Sequence, residues 1–174
     1  MHINLIVAMD KKGCIGKQGR LPWEMIPADM KHFRDVTRQH FVVMGRTTWE
    51  SIGSTPLKNR FNIILSRNKD FKVNGVPVFN SVAEVLLFFS EMDQSIEGEV
   101  FVIGGAEIYE AFLPYARRIY VTEVDGEFGG DTFFPKHDTK EWQVVGSQTY
   151  RRGPFSPYNL EFTLIDRVSN FVSL

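Results

Sequence analysis

Short apolar runs recur along the chain and alternate with segments that have the spacing of amphipathic helices. Several of these runs are rich in Val and Ile, which is typical of buried strands. We predict strands at 3–9, 41–44, 61–65, 76–79, 100–103 and 119–124, and two further strands at 142–150 and 158–166.

Helix signals lie between the apolar runs. Pro27 suits the first turn of one helix, and Thr47 or Thr48 can cap a second. Ser81, with Glu84 three residues later, forms a candidate capping box for a third. We predict four helices, at about 27–39, 47–52, 81–92 and 106–113.

The order of these elements predicts an α/β fold. Strands alternate with helices up to residue 124, which favours a mainly parallel sheet covered on both faces. The last two strands are joined by the turn segment "RRGPFSP" and are expected to form an antiparallel pair. With 174 residues and no segment typical of a linker, the chain is predicted to be a single domain over 1–174.

Composition narrows the class of protein. A net charge of −1 disfavours a nucleic-acid partner. Cys14 is the only cysteine, so no internal disulfide forms and a reducing compartment is expected. The N-terminal run lacks the basic flank and cleavage site of a signal peptide, and the run 85–89 is too short to span a bilayer. We therefore expect a cytoplasmic monomer with no membrane partner.

Two predicted strands end in glycine directly before a helix, at Gly45 and at Gly104–Gly105. Ligands of open α/β sheets bind beyond such strand ends, and helix N-termini there attract anions. Simple turns are the alternative, but two junctions in one sheet favour a shared phosphate ligand. Arg46 and Arg67 follow two of the strands and would suit a 2′-phosphate, which favours NADPH over NADH. Solvated surface arginines are the alternative interpretation.

Asp29 is the candidate acid of a binding site. It lies in the first turn of a predicted helix, on the same face as Phe33 and Val36. Acids also favour this position through the helix dipole alone, by about 0.3–1 kcal/mol. A carboxylate on a core-facing stripe is costly unless a ligand with N–H donors pairs with it, and burial would raise its pKa. His32 is expected on the solvent side of this helix, and Cys14 in a loop.

Six motifs together resemble dihydrofolate reductases of the bacterial chromosomal type: "IGKQGRLPW", "PADMKHFR", "VVMGRTTWESIG", "NIILSR", "VIGGAEIYEAFLP" and "GDTFFP". The resemblance implies an eight-stranded mixed, mostly parallel sheet flanked by four helices, with an antiparallel C-terminal strand pair. It implies hydride transfer from NADPH to C6 of 7,8-dihydrofolate with protonation at N5, giving tetrahydrofolate. Dihydrofolate and folate-like inhibitors are the implied ligands, and no metal is implied.

The resemblance also assigns roles to residues on the substrate side. The implied catalytic residues are Asp29, Trp23, Tyr109 and Thr122. The implied substrate-binding residues are Ile6, Val7, Asp29, Met30, Phe33, Ile52, Leu57, Arg60, Ile103 and Thr122. One extra residue between Trp23 and Asp29 leaves open whether Met25 or Ile26 lines the pocket.

On the cofactor side, the resemblance implies a cis Gly104–Gly105 bond and a loop at 13–24 that closes over the nicotinamide. Ala106 replaces a glycine common in the family, and Glu107 adds an acid near the expected pyrophosphate. The implied cofactor-binding residues are Ala8, Ile15, Gly16, Gly45, Arg46, Thr47, Thr48, Leu65, Ser66, Arg67, Ile103, Gly104, Gly105, Ala106, Glu107, Ile108, Tyr109 and Thr132.

Two other functions remain as alternatives. A reductase of a riboflavin-pathway pyrimidine would share the fold and the cofactor turns, but is not expected to combine Asp29, Phe33 and Arg60. A non-catalytic NADPH-binding protein would not need the pocket between Trp23 and Asp29. Turnover with dihydrofolate distinguishes the three.

Overall fold

A computed structural model describes residues 1–92 and 97–168. The tail 169–174, for which the sequence carries no prediction, lies outside the described residues. The strands are β1 (Ile3–Asp10), β2 (Cys14–Gly16), β3 (Phe41–Gly45), β4 (Phe61–Leu65), β5 (Val78–Phe79), β6 (Val100–Val102), β7 (Ala116–Val124), β8 (Thr132–Phe133), β9 (Trp142–Tyr150) and β10 (Leu160–Arg167). The α-helices are α1 (Pro27–Thr37), α2 (Arg46–Ser51), α3 (Val82–Glu91) and α4 (Ala106–Phe112).

Eight strands form one sheet in the order β5-β4-β3-β6-β1-β7-β10-β9. Pairing is parallel from β5 to β7, and β10 is antiparallel to both β7 and β9. The predicted mixed, mostly parallel sheet with an antiparallel C-terminal pair is thus confirmed. Because β1, β3, β6 and β7 run parallel, their carboxyl ends lie at the same edge of the sheet.

A second, two-stranded sheet pairs β2 with β8 and was not predicted. Cys14, expected in a loop, is a buried residue of β2, so that expectation was wrong. The physical reason is length: strands of two or three residues are too short to show an alternating pattern of apolar and polar positions.

Helix boundaries follow local capping chemistry. The Ser81 hydroxyl accepts a hydrogen bond from the N–H of Glu84 at 3.2 Å, as predicted for the third helix. The Glu84 carboxylate accepts from the N–H of Asn80 rather than from Ser81. Helix α2 begins at Arg46 with no side-chain cap, so the prediction that Thr47 or Thr48 caps it was wrong.

The core lies on both faces of the sheet, because alternate residues of each strand point to opposite sides. On β3, Val43 belongs to the cluster that includes Phe89 of α3 and Phe112 of α4, whereas Val42 belongs to the cluster packed by Phe33 of α1. A third cluster contains Trp23, Ile26, Val124 and Leu160. No helix in the described ranges is long and apolar enough to cross a membrane.

Candidate active site

The ends of β1 and β7, together with the start of α1, bring Asp29 to Thr122. Ala8 of β1 lies opposite Thr122 in the parallel pairing of the two strands. Both Asp29 and Thr122 are buried, with Asp29 only 8% exposed, and the Thr122 hydroxyl donates a hydrogen bond to the Asp29 carboxylate. Two residues that lie far apart in the sequence therefore form one polar pair at this edge.

The pair gives Asp29 an unusual protonation equilibrium. Burial raises the pKa of Asp29, because the apolar surroundings disfavour the charged carboxylate, and the Thr122 hydrogen bond lowers it only in part. Thr122 is the one side-chain donor to this carboxylate that the described residues provide. The remaining acceptor capacity of the carboxylate can therefore serve a ligand that offers N–H donors.

Apolar side chains surround the pair. Ile6 and Val7 of β1 are buried, and Phe33, Leu57 and Ile103 are half-buried. Met30 is 38% exposed and Ile52 is 36% exposed. We call these seven apolar residues, together with Asp29, the apolar groove. Apolar side chains around a single acid are typical of a site that binds a flat heterocycle.

Met25 and Ile26, the two residues left open before α1, differ in their exposure. Ile26 is 2% exposed and packs with Trp23, Val124 and Leu160. Met25 is 73% exposed. Ile26 therefore belongs to this apolar cluster, whereas Met25 is exposed to solvent.

Tyr109 connects α4 to Ile6 of β1, one of the groove residues. Its hydroxyl donates a hydrogen bond to the Ile6 carbonyl oxygen at 2.7 Å, and the residue is buried. Burial, together with the nearby charge of Asp29, raises the pKa of Tyr109. The tyrosine therefore stays protonated, and its hydrogen bond connects α4 to β1.

The two glycine junctions lie side by side, as predicted. The N–H of Gly45 donates to the carbonyl oxygen of Gly104 at 2.8 Å, and the Gly104–Gly105 bond is cis, as the resemblance implied. A Cβ at Gly45 would lie 2.9 Å from Ile108 Cγ1, and one at Gly104 would lie 3.0 Å from Tyr109 Cε2. The Ile108 and Tyr109 side chains of α4 therefore leave little room for a Cβ at Gly45 or Gly104.

This edge fits a phosphate-bearing cofactor. Arg46 is exposed beside it, with its guanidinium 4.6 Å from the Phe71 ring and Nε 2.7 Å from a Glu50 carboxylate oxygen. The Arg67 side chain is 88% exposed, and its guanidinium lies 3.2 Å from a Glu107 carboxylate oxygen. Because exposed ion pairs contribute little free energy, both guanidinium groups can exchange these partners for phosphate oxygens.

Arg60 lies next to Phe33, one of the groove residues. Its guanidinium donates to Thr37 Oγ1 at 3.2 Å and to the Lys58 carbonyl oxygen at 3.1 Å, and it lies 5.6 Å from the Phe33 ring. Burial, with Arg34 nearby, lowers the pKa of Arg60. No carboxylate of the described residues forms an ion pair with it, so it can take a ligand carboxylate.

The segment before α1 contacts the segment between β7 and β8 through Trp23 and Phe128. The Trp23 ring meets the Phe128 ring edge-on at 5.1 Å between centroids, and the Trp23 Nε1 atom is buried without a partner in the described part of the chain. Gly16 of β2 abuts Thr132 of β8, since a Cβ at Gly16 would lie 3.0 Å from Thr132 Cβ. Sequence reasoning missed Phe128, since no motif marks its segment.

His32 departs from its predicted surroundings. It was expected on the solvent side of α1, but it is half-buried and its ring centroid lies 4.3 Å from that of Phe162. Burial lowers the pKa of His32. His32 is half-buried because Phe162 of β10 lies against this side of α1. Helix spacing alone could not place β10 there.

Comparisons with known proteins agree with this geometry. The family model described as dihydrofolate reductase matches residues 2–167. The chain is 39% identical over 165 residues to dihydrofolate reductase of Bacillus subtilis, covering 95% of this chain and 94% of that protein. It is 38% identical over 167 residues to dihydrofolate reductase type 3 of Salmonella typhimurium, covering 96% and 99%.

A solved structure shows the same likeness in three dimensions. Dihydrofolate reductase from Enterococcus faecalis, complexed with NADP(H) and RAB-propyl, superposes with a TM-score of 0.89. It shares 33% sequence identity with this chain, and the match covers 97% of both chains. A family match over nearly the whole chain and relatives of this similarity give one conclusion: the chain belongs to the dihydrofolate reductase family.

Proposed function

We propose that the protein reduces 7,8-dihydrofolate to 5,6,7,8-tetrahydrofolate with NADPH. The observation that carries this proposal is the buried Asp29–Thr122 pair in an apolar groove next to the joined glycine junctions. The relatives are named dihydrofolate reductases, and the Enterococcus faecalis protein is complexed with NADP(H). Neither alternative, a pyrimidine reductase or a non-catalytic binding protein, is favoured by these findings.

Asp29 would bind and orient the pterin ring. The 2-amino group and N3 of a pterin offer two N–H donors on one edge, which match the two oxygens of a carboxylate. The apolar walls exclude water and strengthen this contact, because electrostatic interactions grow as the local dielectric falls. Arg60 would pair with a carboxylate of the glutamate tail, and Phe33 would pack against the ring system between them.

The nicotinamide supplies the hydride when NADPH is bound. Gly45, Gly104 and Gly105 would let the backbone approach the cofactor, and Arg46 and Arg67 would take its phosphates. The hydrogen bond between Gly45 and Gly104 supports this assignment, since it brings the two glycine junctions together at one edge of the sheet.

A proton must also reach N5 of the pterin. Asp29 is the acid nearest the pterin site, but it would hold the edge of the ring that lies away from N5. We infer that Asp29 fixes the ring and raises the basicity of N5, while water delivers the proton beneath the segment that carries Trp23. The pKa of Asp29, raised by burial, suits a group whose charge responds to the ligand.

We further infer a single domain over 1–174 and a cytoplasmic monomer that does not bind nucleic acid. The family match over 2–167 supports the single domain. The buried free Cys14 and the net charge of −1 support a reducing compartment and the lack of a nucleic-acid partner.

The test follows the absorbance of NADPH after addition of 7,8-dihydrofolate, with NADH as a parallel cofactor. Rapid oxidation with NADPH and slow oxidation with NADH is the expected result. An Arg67→Gln variant should narrow that preference, because it removes one cation from the predicted 2′-phosphate site. Binding of NADPH without oxidation would contradict the proposal and favour the pyrimidine reductase or the non-catalytic binding protein.

A further inference from the structure

One buried acid outside the pterin site has no role in the chemistry described above. Asp10, the last residue of β1, is only 2% exposed. Its Oδ1 atom accepts hydrogen bonds from the backbone N–H groups of Lys12 at 2.8 Å and Cys14 at 2.9 Å. Its Oδ2 atom accepts from the backbone N–H of Phe128 at 3.0 Å. One carboxylate therefore joins segments that lie more than a hundred residues apart.

These hydrogen bonds hold the carboxylate in its ionised form. Burial by itself raises the pKa of Asp10, but the backbone donors of Phe128, Cys14 and Lys12 together outweigh burial, so the net pKa is lowered. The carboxylate is thus a fixed anion that organises three backbone donors. Such a group is poorly suited to proton transfer at neutral pH and well suited to holding structure.

The first contact chain leads from Asp10 to Trp23. The Phe128 residue that donates to Asp10 places its ring edge-on against Trp23, with 5.1 Å between centroids. Phe128 also meets Tyr158 edge-on at 5.0 Å, so its ring is held from two sides. The position of Trp23 therefore depends on where Asp10 anchors the backbone of Phe128.

The second contact chain leads from Asp10 to the small sheet. The Cys14 residue that donates to Asp10 begins β2, and Cys14 pairs with Phe133 of β8. The carbonyl oxygen of Gly16 then accepts from the N–H of Asp131 at 3.0 Å. Asp10 is therefore connected to both ends of the segment 13–24. It binds Cys14 directly, and it contacts Trp23 through Phe128.

We propose that Asp10 is a positioning residue for the reaction, which acts by fixing Phe128 and β2 and thereby the placement of Trp23 over the site. The inference rests on the proposed function, since it concerns how the covering segment is held during hydride transfer. Asp10 does not touch the substrate groove through any of these hydrogen bonds. Its effect is therefore expected on the chemical step rather than on binding of the pterin.

The substitution Asp10→Asn tests this role with minimal change of shape. A carboxamide keeps one acceptor oxygen and replaces the other with an NH₂ donor, so either Phe128 or the pair Lys12 and Cys14 must face a donor without an acceptor. In single-turnover experiments we expect hydride transfer to slow by about tenfold or more, because a misplacement of about 1 Å at a reacting site can cost as much as a hundredfold in rate. The dissociation constant for a folate-like inhibitor should change by less than about threefold.

Glu127→Gln is the matched control. The Glu127 carboxylate lies 2.7 Å from the Lys12 ammonium and links the same two segments, but both side chains are exposed. Removing this exposed pair also removes one negative charge, and hydride transfer should stay within about twofold of wild type. A deuterium isotope effect on kcat that grows in Asp10→Asn, but not in Glu127→Gln, would support the positioning role, because a purely structural loss of active protein leaves the isotope effect unchanged.

Phe128→Leu keeps the backbone hydrogen bond to Asp10 and weakens the ring contacts with Trp23 and Tyr158, so it tests the proposal even if Asp10→Asn does not fold. We expect the same slow hydride transfer with nearly unchanged inhibitor binding. Wild-type hydride transfer in either folded variant, or equal losses of rate and inhibitor binding, would overturn the role of Asp10. Absence of dihydrofolate turnover in the wild-type protein would instead overturn the proposed function, and this proposal with it.

Discussion

The hydrogen bond between Thr122 and Asp29 makes a quantitative prediction for the variant Thr122→Val. Thr122 is buried on β7, and valine has nearly the same shape but no hydroxyl. The hydroxyl stabilises the ionised carboxylate, so its removal should raise the pKa of Asp29 further above its ordinary value. The protein should therefore need a higher pH before Asp29 is charged in the free enzyme.

The expected size of this effect follows from the energy of the hydrogen bond. A hydrogen bond to a charged group contributes about 1.5–3 kcal/mol. Since about 1.4 kcal/mol corresponds to a tenfold change in an acid constant, the midpoint of kcat/KM that reports Asp29 should move upward by about one to two pH units. At pH values well above the new midpoint, the variant should recover most of the wild-type kcat/KM.

Initial rates of NADPH oxidation across the neutral range measure this midpoint. Thr163→Val is a suitable control, because Thr163 lies on the adjacent strand β10 opposite Val121 and makes no contact with Asp29 that shifts its pKa. The control should keep the wild-type midpoint. If Thr122→Val also keeps it while retaining its fold, the Thr122 hydroxyl does not govern the ionisation of Asp29 and the reasoning fails.

Two further predictions concern stability and cofactor binding. Because the folded-state pKa of Asp29 is raised, its charge destabilises the fold above that pKa, and the penalty vanishes below the unfolded-state pKa, about 3.8. Asp29→Asn should thus unfold at a higher urea concentration than wild type at neutral pH, but not in acid. Its kcat/KM should fall about a hundredfold or more. Equal urea midpoints of the two proteins at neutral pH would contradict this prediction. Gly104→Ala should lose about 1–3 kcal/mol of stability, because Gly104 has φ +108° and its Cβ would crowd Tyr109. At Gly105 the nearest atom to a Cβ would be 3.7 Å away, so Gly105→Ala should keep the wild-type melting temperature and weaken NADPH binding. Equal losses of stability in Gly104→Ala and Gly105→Ala would show that the two glycines do not differ in this way.

Periodicity and turn chemistry were enough to predict the main sheet. All eight of its strands fall at the predicted runs, because most of them carry a continuous or alternating apolar pattern. The capping hydroxyl of Ser81 was also readable, since its signal is local. The small sheet of β2 and β8 was not predictable in the same way, because its strands are held by distant partners such as Asp10 and not by their own apolar pattern.

The site divides along the same line. The glycine junctions and the acid of α1 have local signatures, so both could be singled out from the amino-acid sequence alone. Phe128 has none: its contact with Trp23 exists only because β1 and β7 end side by side. The exposure of His32 was misjudged for the same reason, since β10 arrives from the far end of the chain.

The apolar surroundings of Asp29 explain both its raised pKa and its strong contact with a ligand. In the free protein the surroundings raise the pKa of Asp29, so its charge is unfavourable there. A ligand that offers N–H donors favours the charged form, and by thermodynamic linkage its affinity must fall as the pH drops through the pKa of Asp29. The same low dielectric that makes the unliganded carboxylate costly makes its contact with a pterin strong. An exposed aspartate at this position would lack both the free-energy cost of the unliganded charge and the strong contact with a pterin. This explains why a single acid lies among so many apolar residues.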